Sequence, residues 1–199
     1  MAMAVPALPL SVADAAGPAF PGNLLLAQYS EQGMSSSESH SDVRGNERDP
    51  NLSANYDLDD RITRGVIWLI ESGSRECEGA LRPEYRFDCL KNVLARAAST
   101  IENRPNYREA AQDLRSLSRQ LDGIVTRYQD TGAPRATLNR RSYRAVSQAN
   151  LAQARREATA AIEETTTKLL RSAGNSEKRK VHYAQISRAV GSTKTLLRS

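Results

Sequence analysis

With 199 residues, 39% hydrophobic and 5% aromatic side chains, the chain can build one modest core, which favours slender helices over a sheet sandwich. The net charge of +5 hides a split: residues 1–60 hold two arginines against nine acids (−7), and residues 61–199 hold 26 basic against 14 acidic side chains (+12). The longest apolar run of the body, Val66–Ile70, is far short of the ~20 residues a membrane-spanning helix requires.

The first 22 residues combine an apolar stretch (Ala2–Val12) with a small-residue site (Ala13-Asp14-Ala15) but carry no basic residue. That pattern reads either as the remnant of an export signal over residues 1–16 or as a Pro/Ala-rich tail. Residues 1–55 as a whole are expected to be a disordered, acidic, Pro/Gly/Ser-rich segment, with Ser35–Ser41 its low-complexity piece. Residues 56–199 are expected to form the helical domain.

A first helix is expected from Asp57 or Asp59, whose carboxylates suit a helix N-terminus. Leu58, Ile62, Val66 and Leu69 supply its stripe and Gly73 its stop. Residues 74–86 are expected to be a loop carrying Cys77. A second helix, about Phe87–Ile101, has Phe87, Leu90, Leu94, Ala97 and Ile101 on one face. Cys77 and Cys89 are the only cysteines, and their number and spacing predict one disulfide, stapling this helix to the preceding loop. The alternative is two reduced thiols in a cytoplasmic protein.

Pro105 ends that helix, and Asn106-x-x-Glu109 resembles a capping box for the third. Tyr107, Ala110, Leu114, Leu117, Leu121, Ile124 and Tyr128 step by three and four, as a helix packed along a partner requires. A long Ala-rich fourth helix is expected over Arg135–Ala173, with a weak stripe including Leu138, Val146, Ala149 and Ala152. Ser176 is the expected N-cap of the last helix, with Tyr183, Ile186, Val190, Thr193 and Leu197 facing inward. The expected fold is therefore all-α: an antiparallel bundle of about four to five helices behind a disordered N-terminal segment.

Chemistry-bearing motifs are sparse. The chain lacks a dinucleotide fingerprint, a phosphate-binding loop and a nucleophile elbow, and neither His40 nor His182 has metal-ligand spacing to the cysteines. Asp59-Asp60, Glu76/Glu78 and Glu163-Glu164 read as caps or solvated carboxylates, and Thr165-x-x-Lys168 has no partner motif. No catalytic residue, metal or cofactor is assigned, and the chain is read as non-enzymatic.

Two basic clusters are candidate contacts for a partner or a polyanion: Arg135, Arg140, Arg141 and Arg144, then Lys178, Arg179 and Lys180. Cations at a helix N-terminus oppose its dipole, so the second cluster implies an anion nearby. The composition resembles that of helical envelope proteins, a likeness of composition alone. The resulting expectation is an exported protein, periplasmic or extracellular, acting by contact with another protein or by self-association, or as an envelope structural component. The alternatives are nucleic-acid or polyanion binding through the basic C-terminal half, and a cytoplasmic location.

Overall fold

The computed structural model describes residues 58–198. The expected export-signal remnant (1–16) and disordered tail (1–55) lie outside the described residues. Five long helices pack against one another: α1 (Asp60–Ala80), α2 (Arg86–Ile101), α3 (Arg108–Arg127), α4 (Leu151–Ser172) and α5 (Glu177–Ser192). A short hairpin of β1 (Ala136–Leu138) and β2 (Arg141–Tyr143) lies between α3 and α4, and a single-turn helix, α6 (Lys194–Arg198), follows α5. Each long helix packs on its neighbour in the chain, and α5 closes back on α1. The all-α expectation is met.

Asp59 caps α1, its side chain accepting from the Arg61 N–H at 2.7 Å. The helix does not stop at Gly73. It runs on to Ala80, so Cys77 sits in its last turns rather than in a loop. Gly73 is buried mid-helix against Val93 of α2, where a Cβ would come within 2.8 Å of a Val93 methyl. The glycine serves close helix approach, which a stop signal read from sequence alone does not distinguish. One helix turn further on, Cys77 and Cys89 form the expected disulfide, with Cα atoms 5.9 Å apart and both residues buried. It joins helix to helix.

Arg86, at the start of α2, is itself largely buried. It donates to the carbonyls of Leu81 (3.1 Å), Glu78 (3.1 Å) and Leu196 (3.2 Å), satisfying acceptors left over at the ends of α1 and α6. The expected inner face of α2 is buried throughout. So is that of α3 from Ala110 to Ile124, with Tyr128 half-buried.

The Asn106/Glu109 capping box does not form. A 3₁₀ turn, Pro105–Tyr107, leads into α3 without a side-chain N-cap, and the Tyr183 hydroxyl of α5 takes over the role. It donates to the Asn106 carbonyl (3.0 Å) and accepts from the Ala110 N–H (3.4 Å). Glu109 faces Arg179 instead, at 3.5 Å.

The largest departure is residues 135–150. No α-helix forms there: β1 and β2 pair antiparallel around Asn139 and Arg140, both at positive φ (51° and 61°), and a 3₁₀ turn, Gln148–Asn150, leads into α4. Two consecutive left-handed residues are the geometry of the tight hairpin turn. Tyr143, Ala145 and Val146 are buried by this arrangement, and Ala149 and Ala152 are exposed. The backbone bond from Val146 N–H to the Glu84 carbonyl (2.9 Å) and that from the Tyr85 hydroxyl to the Pro134 carbonyl (2.7 Å) hold the segment to the α1–α2 connection. The expected helix therefore shortens to Leu151–Ser172, burying Ala154, Ala158, Ala161, Ile162, Thr165 and Leu169. Ser176 caps α5 as expected, accepting from the Arg179 N–H at 3.3 Å.

Candidate contact surface

Two buried polar clusters bring chemically capable side chains together. Thr63 Oγ1 lies 2.8 Å from His182 Nδ1 and 2.7 Å from the Tyr107 hydroxyl, which in turn donates to the Asp59 carbonyl at 2.9 Å. A hydroxyl beside an imidazole has nucleophile–base spacing. Thr63 has no exposed surface, however, and Asp60 approaches the same ring nitrogen (3.8 Å) rather than the opposite one, so no orienting relay forms among the described residues. The cluster's chemistry is that of a polar stitch joining α1, the entry to α3, and α5.

The second cluster centres on Asp88 of α2, which is 2% exposed. Arg144 Nη2 donates to it at 2.9 Å, the Arg144 N–H at 3.0 Å and Lys91 Nζ at 2.8 Å, and Asp122 of α3 shares both cations. Burial pushes the Asp88 carboxyl up, but these bonds outweigh it and hold its pKa below the ordinary value. Asp122 is held low by the same two partners against its own desolvation. Charge here is balanced internally, and the network ties the residue after the hairpin to α2 and α3.

The remaining sequence candidates are scattered. Arg135, Arg140 and Arg141 are exposed on the hairpin, and Arg144 is drawn into the Asp88 network. Lys178 is exposed, Arg179 faces Glu109, and Lys180 pairs with Glu177 at 2.6 Å. Glu109 and Glu177 are therefore anions beside the α5 cations. The two basic clusters stand at opposite ends of the bundle. Tyr183 and Arg179 contact the start of α3, while the bridge between Val146 and Gln129 places the hairpin's exit beyond its C-terminus. Helix α3, about 30 Å long at 1.5 Å per residue, separates them. Among the carboxylate pairs, Glu163 meets Lys194 (2.9 Å) and Glu164 meets Lys168 (2.6 Å), and the Thr165 hydroxyl donates to the Ala161 carbonyl. Among the described residues, no group of three His, Cys, Asp or Glu converges as metal ligands would.

What reaches solvent is Trp68. The only tryptophan in the chain is 68% exposed on the outer face of α1. Arg61, Arg64 and Arg75 follow the same helix face and are exposed with it. Beside the indole, an open hollow of about 380 Å³ is lined by Leu69, Ser72, Gly73, Glu76 and, across from α2, Arg96. The hairpin borders it, because the Asn139 amide donates to Glu76 Oε1. Burial raises the pKa of the Tyr143 hydroxyl, and the Arg141 and Arg96 charges pull against that rise, so both guanidiniums stand near it. None of Arg61, Arg64, Arg75, Arg96, Arg140 and Arg141 forms an ion pair with another described residue. Sequence reasoning passed over this surface because Trp68 falls within the apolar run Val66–Ile70. The helical wheel separates it from Val66 and Ile70, and that was the available signal.

No protein-family model, curated protein or solved structure matches the chain. The functional reading therefore rests on this geometry. No helix among the described residues is long and apolar enough to cross a membrane.

Proposed function

We propose that the protein is a non-enzymatic, exported helical component of the cell envelope that acts by surface contact, using the α1 face around Trp68. The observation that supports this most is the position of Trp68. The other described aromatic side chains are buried or half-buried, while the largest hydrophobe of the chain stands in water. An exposed indole among guanidiniums that form no ion pair with another described residue has the composition of contact hot spots, which favour Trp and Arg. Export is supported by the Cys77–Cys89 disulfide, since such bonds persist in oxidising compartments.

The reading is tested by incorporating a photoreactive phenylalanine analogue at position 68 and, as a control, at position 170, where Leu170 is exposed on α4. Illumination in intact cells should give adducts from position 68 alone. Equal labelling at both positions, or none at 68, would remove the proposal.

The polyanion reading retains Arg135, Arg140 and Arg141 on the hairpin, all exposed. It requires salt-sensitive retention on heparin that falls on Arg140→Gln/Arg141→Gln.

A further inference from the structure

We infer that the outer face of α1 seats on an anionic lipid bilayer, with the Trp68 indole at headgroup level and Arg61, Arg64 and Arg75 on lipid phosphates. This deepens the contact reading above and rests on it.

The geometry is that of a line. Arg61, Arg64, Trp68 and Arg75 lie on one side of an uninterrupted helix, spanning about 21 Å at 1.5 Å per residue. A row of charges on a straight rod matches a flat surface whose headgroups can move laterally to meet each guanidinium. Indole combines an apolar ring with one N–H donor, the combination that settles at membrane–water boundaries. The arginine stems can lie along the apolar side while their heads stay with phosphate. Gly65, on the same face between Arg64 and Trp68, has nothing within 4 Å of a Cβ position, so that side of the helix is open. Arg96 and Arg141 extend the positive field from the flank, while Asp60, Glu71, Glu76 and Glu78 are the acids of α1 that border the arginine row.

Two other partners fit less well. Single-stranded nucleic acid needs successive aromatic platforms, and no second exposed aromatic exists among the described residues. A protein partner of the obligate kind needs a contiguous apolar patch, whereas the neighbours of Trp68 along the face are charged or small.

The full chain, with its disulfide intact, is mixed with vesicles of phosphatidylcholine alone and with vesicles in which about a third of the lipid is phosphatidylglycerol. Since Trp68 is the only tryptophan, its emission reports this face directly. A blue shift and co-sedimentation are expected with the anionic vesicles only, and both should be lost on adding salt. Arg61→Gln and Arg64→Gln should each weaken partitioning about fivefold, and Trp68→Ala should weaken it further. Leu170→Ala should leave it unchanged. Absence of binding to anionic vesicles would overturn the proposal, as would equal binding to neutral ones. Binding of a single-stranded oligonucleotide without vesicle binding would overturn it too. If vesicles fail while position 68 still labels a protein in cells, the lipid assignment falls and the contact reading stands.

Discussion

Gly73 of α1 and Val93 of α2 are packed against each other: a Cβ on Gly73 would lie 2.8 Å from Val93 Cγ2 and 2.9 Å from Cγ1. Gly73→Ala is therefore expected to destabilise the fold by ~1–3 kcal/mol through overpacking, although alanine is the better helix former. Gly65→Ala, where the added methyl meets nothing, should instead stabilise by up to ~1 kcal/mol. Urea unfolding of the two variants checks the contrast, and Val93→Ala added to Gly73→Ala should recover part of the loss.

The disulfide lies one turn beyond that contact. Replacing Cys77 and Cys89 with alanine together should lower stability by about 3 kcal/mol on the chain-entropy estimate for a loop of this size. The intact mass of the untreated protein should rise on alkylation only after reduction. Alkylation without reductant would show free thiols and remove the support for an oxidising compartment.

The polar stitch at the other end of the bundle makes a different prediction. Thr63→Val removes the hydroxyl that bridges Tyr107 and His182, leaving both with one partner fewer in a buried site. A loss of about 1–3 kcal/mol is expected. Tyr107→Phe should cost a comparable amount, and the double variant less than the sum, because the two residues share one bond. Additive losses in thermal unfolding would show that the two hydroxyls act independently.

Stability should also fall in acid. Asp88 and Asp122 have folded pKa values below their ordinary ones, so the folded state binds fewer protons than the unfolded state across the carboxylate range. Their contribution is fully present above the ordinary carboxylate pKa and is lost as pH drops through the lowered values. Asp113 opposes this, since burial raises its pKa and its contribution is present in acid and lost as pH rises. Asp88→Asn should flatten the acid side of the stability profile and cost roughly 1–3 kcal/mol near neutrality. An unchanged acid slope in that variant would mean the titration lies elsewhere.

Much of this architecture was legible from residue spacing. The inner faces of α2 and α3, the Ser176 cap and the cysteine pair follow from patterns that burial enforces over several turns. What failed was local punctuation. Gly73 looked like a stop because a glycine that ends a helix and one that admits a neighbour are identical in sequence. The hairpin was hidden because Asn139-Arg140 lacks the glycine that usually announces such a turn, while the Ala-rich sequence around it favours helix. Asn106 and Glu109 have the spacing of a capping box, but the Tyr183 hydroxyl, some seventy residues away, supplies the cap. The contact face was the least legible part. Its residues share a helix side, yet their lack of an ion-pair partner among the described residues is visible only once the other charges have been paired.

The central claim is that Trp68 stands free for contact, and acrylamide quenching of the full chain tests it most directly. Red-shifted emission and efficient quenching are expected in the isolated protein, unchanged by moderate salt. Blue-shifted emission shielded from acrylamide would contradict it, by showing that this face is already covered.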